Sequence, residues 1–92
     1  MKNRITDAAL INAKKLAFVF KLPIDAIFPA RDGYGSACIR VDREGKSSLL
    51  TIQPEGDEVW ICITRPGERD QHCSFPLPPS PTALGNIHKE IF

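Results

Sequence analysis

Ninety-two residues, 42% apolar and 25% charged, describe an ordinary globular chain and exclude the disordered and fibrous classes. A formal charge of +1 argues against a dedicated nucleic-acid binder, which carries a clear basic excess, so nucleic acid is not the expected partner. Three cysteines, an odd number without CxxC spacing, argue against a disulfide framework and a structural zinc site; no metal or cofactor is expected.

The N-terminus is basic, but no long apolar segment with a small-residue cleavage site follows it. The longest apolar run, Leu16-Ala17-Phe18-Val19-Phe20, falls far short of the ~20 residues a membrane span requires. The expectation is a cytoplasmic protein that does not use a membrane.

A helix is predicted over residues 7–21. Thr6 or Asp7 can cap it, because either side chain can accept from the orphan N–H groups of the first turn. At 100° per residue Ala9, Leu10, Ala13, Leu16, Ala17 and Phe20 fall on one arc, and Pro23 ends the helix. Residues 24–30 fit two descriptions, an edge strand leading into the Asp32-Gly33 turn or a loop carrying a 3₁₀ turn.

Strands follow at about residues 36–42, 47–53, 58–64 and 70–75, each joined to the next by a Gly-containing turn. The turns fix the register. Ile39 opposes Leu50 and Val41 opposes Ser48; Ile52 opposes Val59 and Leu50 opposes Ile61; Ile61 opposes Cys73 and Val59 opposes Phe75. Each turn independently puts the apolar set on one face, which is strong evidence for the pairing. Residues 76–81 are an extended Pro-rich connector, and Ser80-Pro81 reads as the cap and first position of a short helix over residues 82–91. Leu84, Ile87, His88 and Ile91 form its stripe. The fold expected is α+β, one N-terminal helix on a four- or five-stranded antiparallel meander with a short C-terminal helix, in a single domain spanning residues 1–92.

The same register gives the outer face two rows, Cys38–Thr51–Trp60–Ser74 and Arg40–Leu49–Cys62–His72. An exposed sheet face should be mostly polar, whereas this one is half apolar. Trp60 and Arg40 are of the types most enriched at binding hot spots. Trp60, Arg40 and Leu49 are therefore candidate anchors for a protein partner, unless the C-terminal tail folds over them. A second candidate patch is the back of the helix, where Ile11 and Phe18 align seven residues apart among Lys14, Lys15 and Asp7. The last helix could cover it instead.

Catalysis is not expected. Cys62 and His72 oppose each other, with Cβ atoms ~4.5–5.5 Å apart. However, mid-sheet N–H groups leave no oxyanion hole, and no third residue is placed to orient the imidazole. A metal site from Cys38, Cys62 and His72 lacks a fourth ligand. The Leu77-Pro78-Pro79-Ser80-Pro81 stretch partly matches an SH3-type ligand core but has Phe75 where such ligands place a basic residue; a stiff connector is the favoured role. Residues 1–21 carry +4 and residues 54–70 carry −3, a polarity able to orient a partner or a second copy.

The functional expectation is a small non-enzymatic protein-binding module, an inhibitor, adaptor or regulatory subunit that occludes a partner surface. Phage-encoded inhibitors of host defence are one population built this way. The alternative is a homodimeric structural or nucleic-acid-associated protein.

Overall fold

The computed structural model describes residues 4–92, so Lys2, part of the basic N-terminus, lies outside them. The element order is α1 (Asp7–Val19), a 3₁₀ turn (Ile24–Ala26), β1 (Ile27–Pro29), β2 (Ala37–Arg43), β3 (Lys46–Ile52), β4 (Glu58–Thr64), β5 (Gln71–Pro76) and α2 (Pro81–Ile91). The strands form one antiparallel sheet in sequence order, an α+β meander. Residues 24–30 hold both structures expected of them, the 3₁₀ turn and then the short edge strand.

Every register inferred from the turns is present. The inner face accordingly buries Ala37, Ile39, Val41, Leu50, Ile52, Val59, Ile61 and Ile63, while Cys73 and Phe75 on edge strand β5 are half-buried. Fully burying a Val, Leu or Ile side chain contributes ~1.5–3 kcal/mol, so this face dominates the stability.

Helix α1 lies on that face through Ala9, Ala13, Leu16 and Ala17. The three alanines let the backbone come close. Thr6 is the cap: its Oγ1 accepts from the Ala9 N–H at 3.1 Å and donates to the Pro54 carbonyl. The Thr6 N–H donates to Gly35 O at 3.0 Å. One residue thus ties the helix start to the loop before β2 and to the β3–β4 turn.

The helix stops earlier than residue 21. Phe20 is the C-cap, and Lys21 takes the left-handed conformation at φ 58°. The Leu22 N–H reaches Ala17 O at 2.7 Å and the Lys21 N–H reaches Phe18 O at 3.2 Å, the paired bonds of a Schellman ending. Leu10, expected on the core arc, is only half-buried.

Helix α2 begins at Pro81 with Ser80 as its cap, as Ser80-Pro81 suggested, and Ser80 Oγ accepts from the Ala83 N–H. It packs on the inner face beside α1, with Ile87 and Ile91 fully buried in the shared core. Its last turn is held from two sides. Lys46 Nζ donates to the Glu90 carbonyl at 2.8 Å, and Phe20, His88 and Phe92 form a tilted aromatic cluster with the Arg43 guanidinium over the Phe92 ring. The connector passes through a cis Leu77–Pro78 bond, and Leu77 and Pro79 line a small cleft with Leu16 and Val19 of α1. The tail therefore covers neither Trp60 nor the helix back.

Candidate functional site: the outer face of the sheet

Because both helices share one face, the other is uncovered. It carries the two expected rows, and β1 extends the first to Phe28–Cys38–Thr51–Trp60–Ser74. Trp60 is 54% exposed and Phe28 38%. Arg40 is exposed, and Leu49, Thr51 and Cys62 are half-buried among their neighbours. Trp60, Arg40 and Leu49 thus share this surface. Ile11 and Phe18 lie on the opposite side of the molecule, 53% and 83% exposed, with Val19 beside Phe18.

The Trp60 ring divides the outer face into two depressions. Towards β5 is one of about 360 Å³, bounded by Leu49, Trp60, Cys62, His72 and Ser74. Towards β1 is a wider one of about 560 Å³, reaching Phe28, Arg31, Asp32 and Arg40. The short Ser74 side chain opposite Trp60 opens the first, and the β1–β2 loop walls the second. Arg40 is oriented along the face: its Nη1 donates to Ser47 Oγ at 3.1 Å, and Ser47 Oγ donates to Asp42 Oδ1 at 2.7 Å.

Phe28 and the β1–β2 loop are the part of the site that sequence reasoning missed. The Asp32-Gly33 turn and Pro29 were the available signal. Asp32 Oδ1 accepts from the Tyr34 N–H at 2.9 Å, an Asx turn that reverses the chain before β2.

All three cysteines are free thiols. Burial pushes the Cys38 thiol up, partly offset by a weak contact with Thr51 Oγ1 at 3.7 Å. Burial, then the nearby Glu90, pushes Cys73 up on the inner face. Cys62 and His72 do face each other. The Gln53 N–H to Glu58 O bond, 2.9 Å, makes Gln53 and Glu58 a hydrogen-bonded pair, and by alternation Leu49 and Cys62 are another. The Cys62 N–H is therefore taken up by β3 and is not available to stabilise an oxyanion at that sulfur. Among the described residues there is no cluster of three His, Cys, Asp or Glu side chains able to hold a metal, and no helix long and apolar enough to cross a membrane.

No family model, no curated protein and no solved structure matches the chain.

Proposed function

We propose that this chain is a protein-binding module that uses the outer sheet face, with Trp60 as its central anchor and Leu49, Phe28 and Arg40 around it. The observation that carries the reading is the sidedness of the fold: both helices stack on the inner face, and a half-exposed tryptophan stands between two depressions on the other. A partner of matching chemistry presents apolar side chains on either side of the indole and a carboxylate towards Arg40 and Arg31. Binding there would act by occlusion, as an inhibitor, adaptor or regulatory subunit does, without a catalytic group.

The test is affinity capture from source-cell lysate at moderate salt, with and without nuclease, using the native chain and Trp60→Ala in parallel. A protein retained through nuclease treatment by the native chain and lost by the variant, with unchanged circular dichroism, is the expected result. Replacing a hot-spot tryptophan costs over ~2 kcal/mol, about 30-fold in affinity. A partner held equally by Trp60→Ala would move the interface elsewhere. Recovery of nucleic acid in its place, with steep loss on added salt, would favour a nucleic-acid-associated protein.

A further inference from the structure

The edges of the sheet differ in a way that points to a second copy of the chain. On the β1 side, the Ala30 N–H donates to Ser36 O at 3.1 Å, so Ala30 and Ser36 are a hydrogen-bonded pair. The register runs on through Pro29 and Ala37, which makes that pair a non-bonded one, and Pro29 turns its missing N–H outward. This edge is three residues long and carries a proline at its end, both recognised ways of blunting an edge.

Edge strand β5 is built otherwise. The Leu77 N–H donates to Asp57 O at 2.9 Å, and Asp57–Leu77 continues the register of Glu58 with Pro76. By alternation Gln71, Cys73 and Phe75 bond to β4, while His72, Ser74 and Pro76 turn their backbone groups outward. Pro76 again wastes no ladder bond. His72 and Ser74 each present an N–H and a C=O at the free edge, and among the described residues no turn, loop or cap takes them up. The strand is six residues long with no Lys, Arg, Asp or Glu, and both His72 and Ser74 are exposed. Apart from Pro76 at its end nothing blunts this edge, and its His72–Ser74 stretch is a template for another strand.

We propose that β5 is the seam of a twofold homodimer in which β5 pairs antiparallel with β5 of a second copy, centred on Cys73, joining the two five-stranded sheets. In that register His72 of each chain faces Ser74 of the other, and the two pairs exchange four N–H···O=C bonds. Every free N–H of the strand is used, and no Pro76 falls where a donor is needed. A register centred on His72 would instead set the two imidazoles against each other, and one centred on Ser74 would set His72 against Pro76. The central Cys73 pair becomes a non-bonded pair with Cα atoms ~4.5 Å apart. The inference stands independently of the outer-face reading, although it would bring the β5-side depressions of the two copies near each other across the seam.

The experiment is sedimentation equilibrium on the native chain and on Ser74→Pro, at concentrations up to about 1 mM, where even a millimolar dimer is about half formed. Twice the 10.2 kDa chain mass for the native protein and chain mass for the variant, with the same circular dichroism, is the expected result. The proline removes an N–H that serves only the seam. Should it unfold the chain, His72→Lys with Ser74→Lys, which gathers four ammonium groups at the seam, replaces it with the same expectation. Diamide then checks the register: two Cys73 thiols give up two protons and two electrons to its N=N bond and form a disulfide, mapped by mass spectrometry to Cys73–Cys73. A monomer at all concentrations, a dimer indifferent to both variants, or a dimer without that link would each overturn the proposal.

Discussion

Gly56 lies directly beneath Ala8: a Cβ on Gly56 would stand 2.8 Å from the Ala8 carbonyl oxygen and 2.7 Å from Asn12 Nδ2. The first turns of α1 therefore rest on the backbone of the β3–β4 turn. Asn12 Nδ2 donates to that same Ala8 carbonyl at 2.9 Å, which fixes the groups a side chain would have to displace. Gly56 is also at φ 74°, where a Cβ is strained whatever the space. Gly56→Ala should cost more than ~2 kcal/mol, combining a backbone clash with the left-handed penalty. Gly45 has a similar φ of 76° but open space around it, so Gly45→Ala should cost only ~1–2 kcal/mol. Denaturant unfolding of the two variants side by side checks the difference; equal losses would mean that the helix can lift off the turn.

The two hydroxyl bonds of Thr6 predict a second loss. Thr6→Val keeps the volume and removes both hydroxyl bonds, so it should destabilise by ~1–2 kcal/mol, while Thr6→Ser should lose much less. Thermal melts are sufficient, because ~1 kcal/mol moves the midpoint of a chain this size by roughly 4–8 °C. Equal midpoints for native and Thr6→Val would show that the cap is dispensable.

Ser48 predicts a gain. It is fully buried on the inner face opposite Val41 and Ile63, and its hydroxyl has no partner. An unsatisfied buried hydroxyl costs ~1–3 kcal/mol, more than the methyl-sized packing that Ser48→Ala gives up. The variant should unfold at higher denaturant concentration by the equivalent of ~1 kcal/mol. A clear loss of stability would show that the hydroxyl fills space the core needs.

Cys38 predicts an alkaline limit. Burial, the largest cause, raises its folded-state pKa above the ordinary 9.0. The folded chain then holds the thiol proton more tightly than the unfolded chain, so stability falls as pH rises. The contribution is complete below pH 9 and is lost as pH climbs towards the folded value. Native protein should lose stability above about pH 9 more steeply than Cys38→Ala. A thiol reagent at pH 8 should label half-buried Cys62 before Cys38. Parallel pH profiles for the two proteins would remove this account.

The sheet was legible because three Gly turns and a period of two agree on one register, and a one-residue slip would turn Ile39, Leu50 and Ile61 to solvent. The outer rows, with Trp60, Arg40 and Leu49 together, followed from the same register. The end of α1 was not legible, because a left-handed C′ residue is usually glycine and here is Lys21. Phe28 escaped for a different reason. A three-residue edge strand owes its existence to pairing with β2, and its own sequence carries little periodicity. The course of the tail depended on whether Ile87 and Ile91 found the inner face or the helix back, a contest of tertiary packing that a local stripe does not decide.

The placement of both helices on one side has a consequence for how such a chain can change over generations. Trp60, Arg40 and Phe28 touch solvent, whereas the core is closed by Ile39, Leu50, Ile61, Ile87 and Ile91 on the other side of the strands. The two sets alternate one by one along the same strands, so the outer one can change without disturbing the core. If it binds a partner as proposed, it could be rewritten to follow a shifting target while the scaffold beneath keeps its shape.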